Sequence, residues 1–252
     1  MARQLKWQLG TVVEIRKETP TVKSLILDLP EWTTHLAGQH VDVRLTAEDG
    51  YQAQRSYSIA SPPEDKYLML TVEHIKEGEV SPYLTEVLRV GDQVELRGPI
   101  GGYFVWKAGD AQDDGSPLLL VAGGSGIAPL MAMIRHRANS DKKVPTRLLY
   151  SSRSYEEVIY REELDRLAAN DSSLSTFHTL TRRQPQNWTG YARRIDRAML
   201  VEAGWRSAEK PLAYTCGPTA LVETVANLLL ELGYEPERIK TERFGPTGGG
   251  AI

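Results

Sequence analysis

Residues Leu118-Leu119-Leu120-Val121-Ala122-Gly123-Gly124-Ser125-Gly126-Ile127-Ala128-Pro129 form a continuous apolar run that leads into a glycine-rich turn. Such a run is typical of a strand buried in a parallel sheet. The glycines allow a tight turn and a close approach of the backbone to a pyrophosphate at the next helix N-terminus. They could equally serve only the turn, so this motif alone is weak evidence for a nucleotide site.

Strand and helix patterns alternate on the C-terminal side of this stretch. Strands are expected at 145–151, 174–181, 212–215 and 239–244, and helices to about 137 and at 160–169, 196–203 and 218–232. This alternation predicts a doubly wound parallel sheet, whose ligands bind beyond the carboxyl ends of the strands. Cys216-Gly217-Pro218 follows a predicted strand at that edge, although a lone cysteine there is usually a small packing residue.

The N-terminal side carries short strand patterns separated by turn residues, at 9–15, 22–27, 40–45, 55–60, 67–73 and 92–97. This spacing predicts a small antiparallel barrel or sandwich. Ser81-Pro82 is typical of a helix N-terminus, which would either bind an anion or plug the barrel. Residues 109–117 are small and polar, and they predict a linker between domains at 1–108 and 118–252.

Composition excludes several classes of function. The net charge of −3 gives no sign of a nucleic-acid surface. The one cysteine excludes an intrachain disulfide or an all-cysteine metal site in this sequence, and the five histidines lack metal-ligand spacing. No signal peptide or membrane span is recognisable, so we expect a soluble cytoplasmic protein without a resident metal.

Arg55-Ser56-Tyr57-Ser58, in the fourth predicted strand, combine a cation, an aromatic ring and two hydroxyls. A guanidinium suits a phosphate or pyrophosphate, and an aromatic face and a short hydroxyl suit a flat polar ring. This combination fits a ligand with an anionic end and a planar heteroaromatic end. An ordinary edge strand is the alternative.

Four motifs occur here in the order seen in the ferredoxin–NADP reductase superfamily: Arg55-Ser56-Tyr57-Ser58, residues 78–84, residues 123–129 and Cys216-Gly217-Pro218. The chain resembles this family over essentially its whole length. The resemblance implies an FAD-binding antiparallel β-barrel followed by an α/β domain that binds NAD(P)H. The cysteine count excludes a cysteine-ligated [2Fe–2S] domain in this sequence, so we expect a stand-alone flavoprotein reductase.

The resemblance also implies roles for residues around the flavin. Arg55 would bind the pyrophosphate, Tyr57 would lie against the isoalloxazine, and Ser58 would partner flavin N5. The remaining flavin-contacting residues would be Ser56, Val72, Glu73, Gly78, Val80 and Ser81. Because the last three resemble the phosphate-contacting turn of FAD-binding members, FAD is expected rather than FMN.

On the nucleotide side, Gly123, Gly124 and Gly126 resemble the pyrophosphate turn, and Cys216 with Gly217 and Pro218 resembles the segment beside the nicotinamide. The segment that holds the 2′-phosphate in NADP-using relatives is matched by Thr181, Arg182, Arg183 and Tyr191, with Ser152 and Arg153 as supplements. NADPH is therefore favoured over NADH. The alternative is that these arginines form a solvated surface.

Glu242-Arg243-Phe244 resembles the Glu-x-aromatic end of plant-type reductases, where the ring covers the flavin, but this chain continues through residues 245–252. Ser58, Cys216 and Glu242 are the predicted catalytic residues. The implied reaction is hydride transfer from NADPH, less readily NADH, to FAD, with electrons passed to a separate acceptor.

That acceptor would be a ferredoxin, a flavodoxin, an oxygenase component, or a small acceptor such as free flavin or chelated iron. Two alternatives stay open beside this interpretation: a flavin-binding electron-transfer subunit active only in a complex, and a nucleotide-binding scaffold without redox chemistry. The sequence leaves the oligomeric state open.

Overall fold

The computed structural model describes residues 5–109 and 115–244, which form one antiparallel and one parallel sheet. The chain divides into two compact units. One comprises Met1–Asp114 with Ala128–Lys143, and the other comprises Gly115–Ile127 with Val144–Ile252. The predicted domains, 1–108 and 118–252, are contiguous in sequence, whereas these compact units are not. The boundaries of the domains therefore stay a prediction.

The antiparallel sheet has six strands in the order β4-β3-β6-β1-β2-β5. Their bounds are β1 Trp7–Lys17, β2 Val22–Asp28, β3 His40–Thr46, β4 Gln52–Ser58, β5 Leu68–Glu73 and β6 Gln93–Ile100. A bridge between Ile59 and Leu70 and a hydrogen bond from Ala60 N to Met69 O (2.8 Å) join the two outer strands and close the sheet into a barrel. The predicted barrel is confirmed.

The barrel is filled by aliphatic side chains such as Val41, Val43 and Leu96, all fully buried. Asp42 lies between the two valines in the sequence and is also buried. Its carboxylate tolerates burial because Ser56 and Arg97 each donate a hydrogen bond to it at 2.7 Å. Burial disfavours the charged carboxylate, but the two donors outweigh it and hold the pKa of Asp42 below its usual value.

The parallel sheet has five strands in the order β11-β10-β7-β8-β9. Their bounds are β7 Leu118–Gly123, β8 Thr146–Ser154, β9 Leu174–Arg183, β10 Leu212–Pro218 and β11 Ile239–Phe244; the helices are α1 Ile127–Asn139, α2 Arg161–Asn170, α3 Arg197–Ala203 and α4 Thr219–Glu231. The strand order reverses at β7, so β7 and β10 flank the topological switch point, where doubly wound sheets bind ligands. The predicted fold class is confirmed.

Several element boundaries differ from those expected, and those of β8 and β9 involve candidate site residues. Strand β4 ends at Ser58 because residue 59 makes only an isolated bridge. Strands β8 and β9 continue to Ser154 and Arg183, past the expected ends at 151 and 181. Residues 152, 153, 182 and 183 therefore lie at the ends of these strands and not in the loops that follow them.

The expectation that Ser81 caps a helix is wrong. A short π-helix covers Tyr83–Val87, the residue before it is Pro82, and no side chain caps it. The Ser81 hydroxyl instead accepts a hydrogen bond from Ile75 N at 3.0 Å, so it closes the preceding turn.

Three predicted features involve residues outside the described ones: most of the 109–117 linker, the tail at 245–252, and the extreme N-terminus. None of the helices in residues 5–109 and 115–244 has the length and apolarity that crossing a membrane requires.

Candidate cofactor sites

The Ser58 hydroxyl is a buried polar group at the end of β4. Ser58 is 5% exposed, and its Oγ has no hydrogen-bond partner among the described residues. Leaving such a group unpaired costs about 1–3 kcal/mol. A ligand atom that donates to or accepts from this hydroxyl would remove that cost, so Ser58 fits the predicted contact with flavin N5.

His40 lies directly opposite Ser58 in the antiparallel pairing of β3 and β4. Directly opposed side chains share one face, with Cβ atoms roughly 4.5–5.5 Å apart. Burial lowers the pKa of His40 and the charge of Asp42 opposes this, so the imidazole is neutral at neutral pH and can accept a proton. Sequence reasoning missed His40 because a single histidine in an alternating strand gives no spacing signal; only the register pairs it with Ser58.

Tyr57 and Ser56 face opposite sides of β4. Tyr57 packs against the barrel core, and burial raises the pKa of its phenol to about 12, so the ring is neutral and offers an uncharged aromatic face. The Ser56 hydroxyl is bound to the Asp42 carboxylate. Because this hydroxyl is engaged, a cofactor would contact the backbone of Ser56 and not its side chain.

Arg55 is half-exposed and already bound to an anion of the chain. Its Nη2 donates to the Glu79 carboxylate, and its Nη1 donates to the carbonyl of Gln54 at 2.7 Å. The hydroxyl of Tyr51 donates to the other Glu79 oxygen at 2.5 Å. The structure thus brings Arg55 to the 78–81 turn, as the resemblance implies, but it places a carboxylate where a pyrophosphate would meet the guanidinium.

The 78–81 turn is the segment predicted to contact the flavin phosphate. A Cβ at Gly78 would approach Ser81 Oγ at 2.9 Å and Ile75 O at 3.1 Å, so this position requires a small residue for the turn itself. The Val80 side chain is fully buried in the barrel core. Val72 is also fully buried, so its side chain is not available to a ligand, and Glu73 ends β5.

In the second unit, the glycine-rich turn meets the end of β10 at very short distance. Residues Gly124–Gly126 form a 3₁₀ turn, and Gly124 has a positive φ of 54°. A Cβ at Gly126 would lie 2.3 Å from Cys216 O, and one at Gly217 would lie 3.0 Å from the Gly123 backbone. Only glycine permits this approach, and it leaves main chain from two strand ends side by side, as a nucleotide cradle requires.

Cys216 is fully buried beside this turn. Burial, together with the nearby Glu242 carboxylate, raises the pKa of its thiol well above the usual value, so the sulfur stays protonated and is not a nucleophile. Glu242 lies directly opposite Cys216 in the β10–β11 pairing, and Phe244 lies opposite Pro218. The structure therefore brings the predicted Cys216, Glu242 and Pro218 to one strand end, with a half-buried Phe244 beside them.

The predicted 2′-phosphate residues lie on the adjacent ends of β8 and β9. Thr181 Oγ1 donates to Ser152 O at 3.2 Å, while the Ser152 hydroxyl is buried and unpartnered among the described residues. Arg183 pairs with Glu156 at 3.2 Å across an exposed surface. Arg153 and Arg182 are exposed and make no ion pair within the described ranges, so these two guanidinium groups are available to an anion.

Tyr191 makes different contacts from the other predicted 2′-phosphate residues. Its main chain bonds to His178 and Leu180, and its ring packs on the core below α3 with Arg193 over it at 5.4 Å. Burial and a hydrogen bond to Glu202 raise the pKa of its phenol to about 12. Its hydroxyl is thus engaged by Glu202, whereas its main chain bonds to Leu180, two residues before Arg182.

Comparison with known proteins matches both halves of the chain. Residues 10–105 match the family model described as "Oxidoreductase FAD-binding domain", and residues 120–227 match the one described as "Oxidoreductase NAD-binding domain". The ferredoxin–NAD(P)(+) reductase component of the naphthalene 1,2-dioxygenase system of Pseudomonas putida is 30% identical over 243 residues, which cover 95% of this chain and 69% of that protein.

A glycine betaine monooxygenase reductase subunit of Pseudomonas aeruginosa is 31% identical, over 93% of this chain and 63% of that protein. The chain thus spans about two thirds of the length of these curated relatives. Among solved structures, the Amycolatopsis cytochrome P450 reductase is 27% identical with a TM-score of 0.83, over 97% of this chain and 71% of that one.

The FAD/NAD-binding domain of nitric oxide dioxygenase from Vibrio cholerae shares the fold, with a TM-score of 0.83 at 24% identity, over 95% of this chain and 99% of that one. Both halves match in sequence and in fold. The chain belongs to the ferredoxin–NADP reductase superfamily, as an NAD(P)H-dependent flavoprotein reductase with FAD as its flavin.

Proposed function

We propose that this chain takes hydride from NADPH, less readily from NADH, and delivers the electrons through FAD to a separate acceptor. FAD supplies the redox chemistry, and the protein supplies position and electrostatics. The observation that carries the proposal is the buried Ser58 hydroxyl, unpartnered among the described residues, at the end of the strand that also holds Arg55 and Tyr57.

The first unit would hold the flavin. In the proposal Arg55 binds the diphosphate, Tyr57 lies against the ring system and Ser58 holds N5. The main chain around them completes the site, at Ser56, Val72, Glu73, Gly78, Val80 and Ser81. Glu79 must leave Arg55, or share it, when the diphosphate binds.

His40 would serve Ser58 as a proton partner. Its ring shares a face with Ser58 and is partly exposed to solvent. A neutral imidazole in that place could accept a proton relayed through the hydroxyl, which takes up a second proton as it gives up its own, and could return that proton to water.

The second unit would hold the nicotinamide nucleotide. Gly123, Gly124 and Gly126 bind the pyrophosphate with main chain, and Cys216 with Gly217 and Pro218 shapes the nicotinamide pocket as a neutral, packed thiol. Glu242 adds a negative charge beside that pocket. The covering of the flavin by Phe244 stays a prediction.

The preference for NADPH would rest on Arg153 and Arg182, the two exposed arginines at the ends of β8 and β9. A phosphate monoester next to them gains charge-assisted hydrogen bonds that a ribose hydroxyl does not. Thr181 and Ser152 hold this edge together, and Arg183 is partly neutralised by Glu156. The contact of Tyr191 with the 2′-phosphate stays a prediction.

We expect Arg182→Ala to raise KM for NADPH about tenfold, the usual loss for one charge-assisted contact, and to leave KM for NADH unchanged. The measurement is steady-state turnover with each nucleotide. Arg166→Ala, which removes an exposed arginine from α2, is the matched control. Equal effects of Arg182→Ala on both nucleotides would remove the 2′-phosphate assignment.

For the acceptor, we propose an oxygenase component or its ferredoxin. Support comes from the relatives, which include reductase components of a naphthalene dioxygenase system and of a glycine betaine monooxygenase, and the phenol hydroxylase P5 protein of Acinetobacter pittii. A cytoplasmic location is part of the proposal. A flavodoxin, free flavin and chelated iron stay alternatives.

A second candidate is an electron-transfer subunit that acts only in a complex. Its support is the similarity, at 29% identity, to one of the subunits of the Na(+)-translocating NADH-quinone reductase of Mannheimia succiniciproducens. Turnover of the isolated chain with NADPH and ferricyanide favours the first candidate. Bound FAD without such turnover favours the second.

A further inference from the structure

Tyr150 is a buried residue of β8 to which the sequence assigned no role. It is fully buried and lies between Ala122 of β7 and His178 of β9 in the parallel sheet. Its hydroxyl donates a hydrogen bond to Gly124 O at 3.0 Å and accepts one from Ile159 N at 3.3 Å. One phenol thus connects the glycine-rich turn to the loop before α2.

The Tyr150 hydroxyl is the donor in one of these hydrogen bonds and the acceptor in the other. A phenol has one proton to donate, so the donation to Gly124 fixes its direction, and Ile159 N–H then occupies a lone pair. Unlike Gly126, Gly124 has no neighbour that would meet an added Cβ within 4 Å. No described neighbour therefore restrains Gly124 where its Cβ would lie. The hydrogen bond from the Tyr150 hydroxyl to the Gly124 carbonyl is a side-chain contact that does restrain the turn.

We propose that Tyr150 is a positioning residue for the nicotinamide nucleotide. Its hydroxyl holds the carbonyl of Gly124, and with it the left-handed conformation of that residue, in the shape that the pyrophosphate meets. The inference rests on the proposed function of the glycine-rich turn and adds a residue that does not touch the nucleotide itself.

The chain offers a matched control away from the glycine-rich turn, in the loop after α4. Tyr234 is also buried, its hydroxyl donates to Trp205 O at 2.7 Å, and it accepts from Trp205 N at 3.1 Å. Tyr150→Phe and Tyr234→Phe therefore each remove one oxygen from a buried site and, among the described contacts, the two hydrogen bonds that this oxygen makes. Only Tyr150 touches the turn.

The experiment compares the two variants with the wild type in the FAD-loaded protein. We expect both to lower the urea midpoint of unfolding. Tyr150→Phe should raise KM for NADPH and Kd for NADP⁺ about tenfold, the size of one lost hydrogen bond. Its turnover at saturating NADPH and its FAD content should be unchanged. Tyr234→Phe should leave KM and Kd at wild-type values.

If the Tyr150→Phe protein is destabilised as much as Tyr234→Phe but keeps the wild-type KM and Kd, Tyr150 is structural only and the inference is overturned. If the wild type itself shows no binding of NADP⁺ or NADPH, the proposed function falls first, and the role of Tyr150 falls with it. The two failures are therefore distinct.

Hydrogen exchange of the wild type provides a test that needs no variant and also applies if Tyr150→Phe does not fold. Saturating NADP⁺ should slow exchange of the Ile159 amide, which donates to the Tyr150 hydroxyl, severalfold. It should not change exchange of the Trp205 amide, which donates to Tyr234. Equal behaviour of the two amides would overturn the inference.

Discussion

The proposed flavin site and the proposed nucleotide site would each bind an anionic diphosphate, but with different parts of the chain. On the barrel, Arg55, Tyr57 and Ser58 offer a guanidinium, an aromatic ring and a hydroxyl. The Arg55 guanidinium is already bound to the Glu79 carboxylate. On the parallel sheet, Gly123–Gly126 and Gly217 offer main-chain atoms. The two segments lie so close that a Cβ would not fit at Gly126 or Gly217.

The difference predicts how each site fails. A site made of side chains loses its contacts one at a time, and each loss is limited to one interaction. A site made of closely approaching main chain fails as a unit, because a single added carbon displaces two strand ends.

The largest effect should therefore come from one methyl group on the nucleotide side. In Gly126→Ala the new Cβ would lie 2.3 Å from Cys216 O, so β7 and β10 must separate. We expect the rate of flavin reduction by NADPH to fall about 100-fold, as a displacement of roughly 1 Å can cause. FAD content should stay at the wild-type level, and stopped-flow absorbance measures both.

Gly124→Ala is the control for this prediction. Its Cβ would meet nothing within 4 Å, although its φ of 54° is strained for alanine. It should slow reduction much less than Gly126→Ala. Equal losses would show that backbone strain, and not the approach of the two strand ends, limits the nucleotide site.

A smaller effect is expected from the flavin side. Ser58→Ala should slow flavin reduction about tenfold, since one hydrogen bond to the reacting ring is lost, while FAD stays bound through Arg55 and Tyr57. Ser56→Ala is the neighbouring control, because that hydroxyl is bound to Asp42. Wild-type reduction rates in Ser58→Ala would remove Ser58 from the mechanism.

The smallest effect should be a gain in affinity for FAD. Hydrogen bonds from Tyr51 and Arg55 lower the pKa of Glu79, so the carboxylate is charged at neutral pH and competes with the diphosphate. Glu79→Gln should tighten FAD severalfold, a modest gain because the pair is exposed to solvent. Riboflavin, which lacks phosphate, should bind both proteins equally. Weaker FAD binding by the variant would mean that Glu79 orients Arg55.

Much of this molecule could be predicted from local patterns. Alternation in residues 40–45 and the apolar run at residues 118–122 predicted strands that the structure has at His40–Thr46 and Leu118–Gly123, and the parallel sheet followed from rules that hold for doubly wound folds in general. The motifs at Arg55 and at Gly126 could be recognised for the same reason, because their chemistry is contained within a few consecutive residues.

The contacts that could not be predicted join residues far apart in the sequence. His40 meets Ser58 only through strand register, Glu79 reaches Arg55 only after the turn folds, and Tyr191 is drawn to Glu202 by packing under α3. A sequence pattern carries no signal for such partners, because each depends on the register and the core of the completed fold.

An anaerobic visible spectrum of the purified protein is the shortest route to knowing whether this chain binds FAD and reduces it with a nicotinamide nucleotide. We expect a flavin band that bleaches with one equivalent of NADPH and less readily with NADH. Equal bleaching by both nucleotides would contradict the role of Arg153 and Arg182. A protein that binds no flavin even when FAD is supplied would contradict the assignment of the chain as a flavoprotein reductase.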